Sequence, residues 1–246
     1  MRINIFKTSA QMGEAAAKFI ADKLNAAISE QGFARLLLST GASQFDMISS
    51  LVTQDVDWSK VTMFHLDEYI GLPETHIASF RKYLKERFSS KVNLKEAVYV
   101  DGEGDVGENI AYITKRIKEA PIDVAAIGIG ENGHIAFNDP PADFDTQESY
   151  IIVNLDERCK RQQVGEGWFA TVDDVPKQAI SMSVSQMLKS RCIVSVVPHA
   201  VKAEAIRNTL AQEVNNMVPA TILKTHPDWN LYLDKNSAKL FAVLPE

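Results

Sequence analysis

The sequence predicts an α/β fold: a single three-layer Rossmann-like domain over residues 1–246, with a mostly parallel central sheet flanked by helices. Three observations predict it. Short apolar runs alternate with stretches whose apolar residues recur at helical spacing. The run Ile122-Asp-Val-Ala-Ala-Ile-Gly-Ile129 is almost wholly apolar, as a strand is when helices cover both faces of its sheet. The unusual glycines and polar residues follow directly on such runs, at the carboxyl ends of strands, where open α/β sheets bind ligands.

In chain order, Ala15, Ala16, Phe19, Ile20, Leu24 and Ile28 give a helix over 11–30. A buried strand is expected over 35–39. Thr40-Gly41-Ala42-Ser43 breaks it, and a helix over 44–52 follows. A strand over 61–66, a loop and a helix over 78–88 repeat the pattern. A strand over 96–100 and a helix over 106–119 lead to the 122–129 strand. Further strands are expected over 191–197 and 230–233, with helices over 200–212 and 237–241. No internal repeat, low-complexity segment or Pro/Gly-rich linker interrupts the series.

Composition narrows the partners. The chain has 246 residues and a formal net charge of −6, so its bulk field draws in neither nucleic acid nor an anionic membrane. A phosphorylated ligand would need a local site of backbone amides and a few fixed cations. Cys159 and Cys192 are the only cysteines, too few for a disulfide framework and not at metal-ligand spacing. The N-terminus lacks the continuous apolar run of a signal peptide, and no stretch approaches the length of a membrane span. A cytoplasmic protein with reduced thiols is expected.

Four segments carry candidate chemistry. Ser39-Thr40-Gly41-Ala42-Ser43-Gln44 joins a strand to a helix; small residues and a helix start suit an anion, and an ordinary turn capped by Ser43 fits equally well. It lacks the Gly-Lys-Ser/Thr ending of a Walker loop. His65-Leu66-Asp67-Glu68-Tyr69 places two acids after an apolar strand, where a semi-buried carboxylate can act as a general base; a cap or a salt bridge is the plainer reading. Gly128-Ile-Gly-Glu-Asn132-Gly133-His134-Ile-Ala-Phe-Asn138-Asp139-Pro140 sets a histidine beside glycines and a carboxylate, a proton-transfer unit suited to neutral pH. Its glycines match a dinucleotide fingerprint only weakly, because no acid ends the next strand at 150–154. Asp156 to Phe169 carries Arg158, Lys160 and Arg161, by default a solvated helix face. Lys202 follows a strand and is either a phosphate cation or a cover for the sheet.

Taken together, these segments resemble the glucosamine-6-phosphate deaminase/isomerase family, from near the start of the chain to beyond residue 230. The resemblance rests on Ser39-Thr-Gly-Ala-Ser43, Leu66-Asp-Glu-Tyr-Ile-Gly-Leu72, Gly128 to Pro140, Val175-Pro-Lys-Gln-Ala-Ile180, Lys202-Ala and Leu223-Lys-Thr-His226. The sister 6-phosphogluconolactonases share the fold and a Gly-His pair but continue differently after the histidine. The resemblance implies that a 2-amino-2-deoxyhexose 6-phosphate, of glucosamine or galactosamine type, is opened, isomerised to the ketose and stripped of ammonia. Neither proton-transfer step needs a metal or an organic cofactor. It makes Asp67 the base between C2 and C1 and His134 the ring-opening group held by Asp139, with Asn132 beside them. It puts Thr40, Gly41, Ala42, Ser43, Glu68, Gly133, Arg161 and Lys202 around the substrate and its phosphate.

The sequence also departs from the family pattern. Asn132 stands where many members have aspartate, and Asp139 where glutamate is usual. Thr-Gly-Ala-Ser-Gln replaces Thr-Gly-Gly-Thr-Pro. Gln163 aligns with a phosphate-binding arginine, for which Arg158 or Arg161 would substitute. This last stretch resembles a galactosamine-type offshoot. The chain lacks the C-terminal extension of the allosteric hexamers, so a monomer or small homo-oligomer is expected. Two other functions stay open: a 6-phosphogluconolactonase-type hydrolase using the same loop and His134, and a non-catalytic sugar-phosphate sensor.

Overall fold

The computed structural model describes residues 1–241, apart from the side chain of Arg158. Its strands are β1 (Arg2–Phe6), β2 (Ala34–Leu38), β3 (Val61–His65), β4 (Asp67–Tyr69), β5 (Glu96–Val98), β6 (Val124–Ala126), β7 (Tyr150–Asn154), β8 (Gln178–Met182), β9 (Cys192–Val197) and β10 (Trp229–Asp234). Its helices are α1 (Ser9–Gln31), α2 (Phe45–Leu51), α3 (Phe80–Leu84), α4 (Val106–Lys118), α5 (Glu157–Gly165), α6 (Val184–Met187) and α7 (Ala203–Ala211).

Seven strands form one sheet in the order β1-β10-β9-β6-β2-β3-β5, and every neighbouring pair is parallel. The apolar runs explain its layers. Successive residues of a strand face opposite sides, so Leu36 and Leu38 of β2 pack under α1 and α2, against Ala16, Ile20, Met47 and Ile48. Leu37 points the other way, into the layer of Ile113 and Ile117 of α4 and Ile206 of α7. This is the expected α/β class, a parallel sheet between two helical layers.

Helix α1 shows why the boundaries fall where they do. Thr8 caps its first turn by accepting from Gln11 N at 3.2 Å, and Gly32, at φ 82°, ends it with a bond from its N–H to Ile28 O.

Four departures from the sequence expectation bear on the fold. The edge strand β1 was not expected, because its alternating charged and apolar residues lack the continuous run of its inner neighbours. The 122–129 run is regular strand only over β6, though Asp123 N to Arg35 O and Ile127 N to Val194 O extend its pairing to both sides. The 78–88 helix is α3 followed by a π-helical turn over Lys85–Ser89. Residues 237–241 form turns rather than a helix; Ser237 N and Oγ instead close on Asp234.

A second sheet matters more for function. β4, β8 and β7 pair antiparallel in the order β4-β8-β7. Only Leu66 separates β3 of the large sheet from β4 of the small one. A third apolar cluster, including Tyr69, Phe137, Cys159 and Phe169, packs at the small sheet. No helix among the described residues is long and apolar enough to cross a membrane.

Candidate active site

A cavity of about 220 Å³ opens at the carboxyl ends of the central strands and is lined by residues of all four candidate segments. Thr40, Gly41, Ala42 and Ser43 form one wall. Gly41 lies at φ 100°, ψ 165°, a conformation that a side chain would strain. Its carbonyl accepts from Gln44 N at 3.1 Å and from the Tyr83 hydroxyl at 2.9 Å, which holds the loop open toward the cavity.

Asp67 lies where the chain passes from the large sheet to the small one, opposite Ser181 of β8. It is only 6% exposed and lines the cavity. Burial first, and the Glu68 carboxylate second, push its carboxyl well above the usual carboxylate range; no hydrogen bond or cation opposes them.

Glu68 does not reach the cavity. As the next residue of the strand it points the opposite way, is fully buried, and accepts from Tyr69 N at 3.0 Å, Phe80 N at 3.2 Å, Ser79 Oγ at 2.9 Å, and Arg81 N and Nε at 2.9 and 3.3 Å. Burial pushes its proton affinity up against these bonds. Four of the five donors are N–H groups that can only donate, so the side chain is held as an acceptor. Its role is to fix the start of α3, which corrects the expectation of a substrate contact.

The glycine segment folds back on itself through Gly130 N to His134 O, 2.9 Å, and Gly133 N to Gly130 O, 3.1 Å. A Cβ on Gly130 would lie 2.2–2.5 Å from the His134 ring, so glycine there is what lets the imidazole lie across the loop. His134 lines the cavity. Its Nδ1 is 3.1 Å from Asp139 Oδ1, off the line of a well-directed hydrogen bond.

Asn132 ties the pair together. Its Oδ1 accepts from His134 N at 3.0 Å and its Nδ2 donates to Asp139 Oδ1 at 3.0 Å. Burial works to raise Asp139, but the neighbouring His134, the bond from Asn132 and the nearby Cys159 prevail and hold it below the usual range. Asn132 and Asp139 therefore stand behind His134 rather than in the cavity. An aspartate in place of Asn132 would set two like charges together; the amide supplies a donor instead. Gly133 also lies outside the lining, where its carbonyl accepts from Ala220 N. Asn138 pins the segment to the small sheet, donating to Ile135 O and Met182 O at 2.9 Å each.

Helix α5 covers the cavity with Gln162 and Gln163, followed by Glu166 and Trp168. Arg161 points away, with Nε donating to Glu157 O at 3.2 Å on an exposed face. It thus does not fill the place assigned to it, and the side chain of Arg158 lies outside the described residues. Lys202, 8% exposed, does line the cavity. Burial lowers its proton affinity, while Glu166 and Glu131 act to raise it.

Ser39, from the first candidate segment, lines the cavity too, while several other lining residues were not singled out in the sequence: Phe80, Glu131, Ala136, Phe137, Glu166, Trp168 and His199. Two carry a backbone signal no residue pattern shows, for Ala136 and His199 have φ of 49° and 77°. Among the described residues, no three His, Cys, Asp or Glu side chains converge to hold a metal ion.

Comparison with known proteins agrees with this geometry. Residues 7–231 match the family described as glucosamine-6-phosphate isomerases/6-phosphogluconolactonase. A glucosamine-6-phosphate deaminase of Streptococcus pneumoniae is 32% identical over 241 residues, 98% of this chain and 100% of the relative. One of Staphylococcus epidermidis is 34% identical, over 89% of this chain and 93% of its own length. Among solved structures, a monomeric glucosamine-6-phosphate deaminase superposes with a TM-score of 0.88 at 26% identity, covering 98% of this chain and all of that one. The 6-phosphogluconolactonase of Trypanosoma brucei shares the fold with a TM-score of 0.80 at 15% identity, over 97% of each chain. The chain therefore belongs to the glucosamine-6-phosphate isomerase/6-phosphogluconolactonase family.

Proposed function

We propose that the chain is an amino-sugar-6-phosphate deaminase/isomerase, acting on a hexosamine 6-phosphate of glucosamine or galactosamine type. One observation carries this reading. A buried carboxyl (Asp67), an imidazole backed by a carboxylate (His134 with Asp139) and a buried ammonium beside a glycine loop (Lys202 with residues 40–43) all border one cavity.

In this reading the phosphate lies against the 40–43 loop and Lys202. His134 takes the proton of the C1 hydroxyl and returns one to the ring oxygen, opening the hemiacetal. Asp67 then removes the C2 proton while the C2 ammonium gives one of its own protons to the C1 carbonyl oxygen, and the resulting enolamine takes the C2 proton back from Asp67 at C1, leaving a protonated imine at C2. Water adds to that imine, ammonia leaves, and the ketose 6-phosphate remains. Asp139 and Asn132 hold the imidazole for the first step.

The electrostatics of Asp67 favour an amino substrate over a lactone. Burial and Glu68 both disfavour its charged form, and no protein cation is near enough to offset them. The C2 ammonium of an amino sugar would bring that positive charge itself and make the carboxylate available as a base. A lactone offers no such charge.

Purified protein should release ammonia from glucosamine 6-phosphate, galactosamine 6-phosphate or both. Silence on both from folded protein would refute the deaminase reading. Hydrolysis of 6-phosphogluconolactone without ammonia would establish the hydrolase instead, and tight binding of a hexosamine phosphate without turnover would establish a sensor.

The ring-opening assignment has its own test. His134→Gln should lower turnover of the cyclic substrate roughly 10²-fold, the scale of one positioned acid–base group. On an open-chain analogue the loss should be much smaller. Equal losses on both would remove ring opening from His134.

A further inference from the structure

We propose that Gln44 is a positioning residue that turns the Ser43 hydroxyl into the cavity as a hydrogen-bond donor. The proposal rests on the reading of residues 40–43 as the phosphate site. Gln44 is fully buried at the end of the short turn Ala42–Gln44. Its Nε2 lies 3.0 Å from Val196 O and 3.0 Å from Ser43 Oγ.

The orientation of this amide follows from its partners. A main-chain carbonyl can only accept, so the NH₂ end must face Val196; reversed, two oxygens would oppose each other. The site on Val196 is open because β6 has already turned away: Ile127 N reaches Val194 O two residues earlier, and Gln44 takes the next carbonyl on that edge. One N–H of Nε2 is then committed to Val196, and the other to Ser43 Oγ.

The consequence falls on Ser43. A hydroxyl that accepts from Gln44 keeps its own proton to give elsewhere. Among the described residues Gln44 is its one side-chain partner, and Ser43 lines the cavity. The O–H is thus committed to an acceptor in the cavity, as a phosphate oxygen would be.

Gln44 Oε1, meanwhile, is buried without a partner. An unpaired buried carbonyl is destabilising, so packing alone gives no reason for an amide at this position. Ser39 Oγ, also buried and unpartnered, lines the same wall and offers a second hydroxyl to the same anion.

A double-mutant cycle tests this, read by KM for the active hexosamine phosphate and by binding of inorganic phosphate. Gln44→Met should weaken both about five- to ten-fold with kcat nearly unchanged, as expected for one hydrogen bond to a charged group. Ser43→Ala should do the same alone. In the double variant the losses should not add, because Gln44 acts through Ser43. Additive losses, or a Gln44→Met protein that binds phosphate normally, would overturn the proposal while leaving the phosphate loop intact. Normal phosphate binding by Ser43→Ala would overturn the loop reading itself, and this proposal with it. Should Gln44→Met fold poorly by thermal melting, Gln44→Leu enters the same cycle.

Discussion

Asp67→Asn is expected to lower turnover at least about 10³-fold, the loss typical of a positioned base, while leaving the protein as stable as before or more so. The two effects have one cause. Burial and the Glu68 carboxylate raise the Asp67 carboxyl well above its usual range. A carboxyl whose proton affinity is higher in the folded than in the unfolded chain stabilises most fully at low pH, where both states are protonated. That contribution is lost as pH rises from the unfolded value, about 4, through the raised folded value. Asparagine never ionises and escapes this loss. The melting temperature of Asp67→Asn should therefore gain on the wild type as pH rises from about 4 toward neutrality. In the wild type, kcat/KM should rise along an acid limb above the ordinary carboxylate range, because that limb reports the free protein. Retained turnover, or a melting curve that loses ground to the wild type with rising pH, would mean that Asp67 is a structural acid.

Arg81→Met should destabilise the fold by about 3–5 kcal/mol, the scale of breaking a buried ion pair by removing one partner. The guanidinium is buried, with Nε 3.3 Å from Glu68 Oε2, and it reaches Leu72 O, Asp101 and Glu103 as well. Asp101 and Glu103 are about half exposed and will rehydrate, so their share is small. Glu68 has no water to turn to. A second change to Glu68→Met should not restore stability, although replacing both partners of a buried pair often does. Here Glu68 also accepts the amides of Tyr69, Phe80 and Arg81, which an apolar side chain would leave unpaired. Urea unfolding midpoints measure both effects. Full recovery in the double variant would show that the charge, and not the capping of α3, is what Glu68 contributes.

The two sheets differ in how readily their sequence reveals them. The large sheet was legible because parallel strands covered on both faces read as continuous apolar runs, and β2, β3, β6 and β9 are such runs. The small sheet was not. β4 is three residues long and two of them are acids; β7 alternates in burial along a partly solvated face. Its pairing brings together residues more than a hundred positions apart, Asp67 with Ser181, which no local pattern encodes. The same limit applied to the site. Asp67, His134, Lys202 and the 40–43 loop announce themselves by residue type directly after strands. Glu68 does too, and only the alternation of strand side chains turns it away. Arg161 showed the charge but not which face of α5 it occupies. The cavity's two extra carboxylates, Glu131 and Glu166, sit within the segments 128–140 and 156–169, but no residue pattern there marks them as facing the cavity.

The single residue between β3 and β4 has a consequence for substrate length. The loop of residues 40–43 follows β2 of the large sheet, and Asp67 belongs to the small one; the two sheets are joined at Leu66, whose carbonyl accepts from Met182 N at 2.8 Å. Neither end of the cavity can move along the chain without breaking one of the two sheets. On the proposed assignment of the phosphate to residues 40–43 and of the base to Asp67, the span between them is a fixed measure of carbon number. A pentose or heptose phosphate anchored at the same loop would present a different carbon to Asp67, and the register between the two sheets would select the hexose before any contact with its hydroxyl groups.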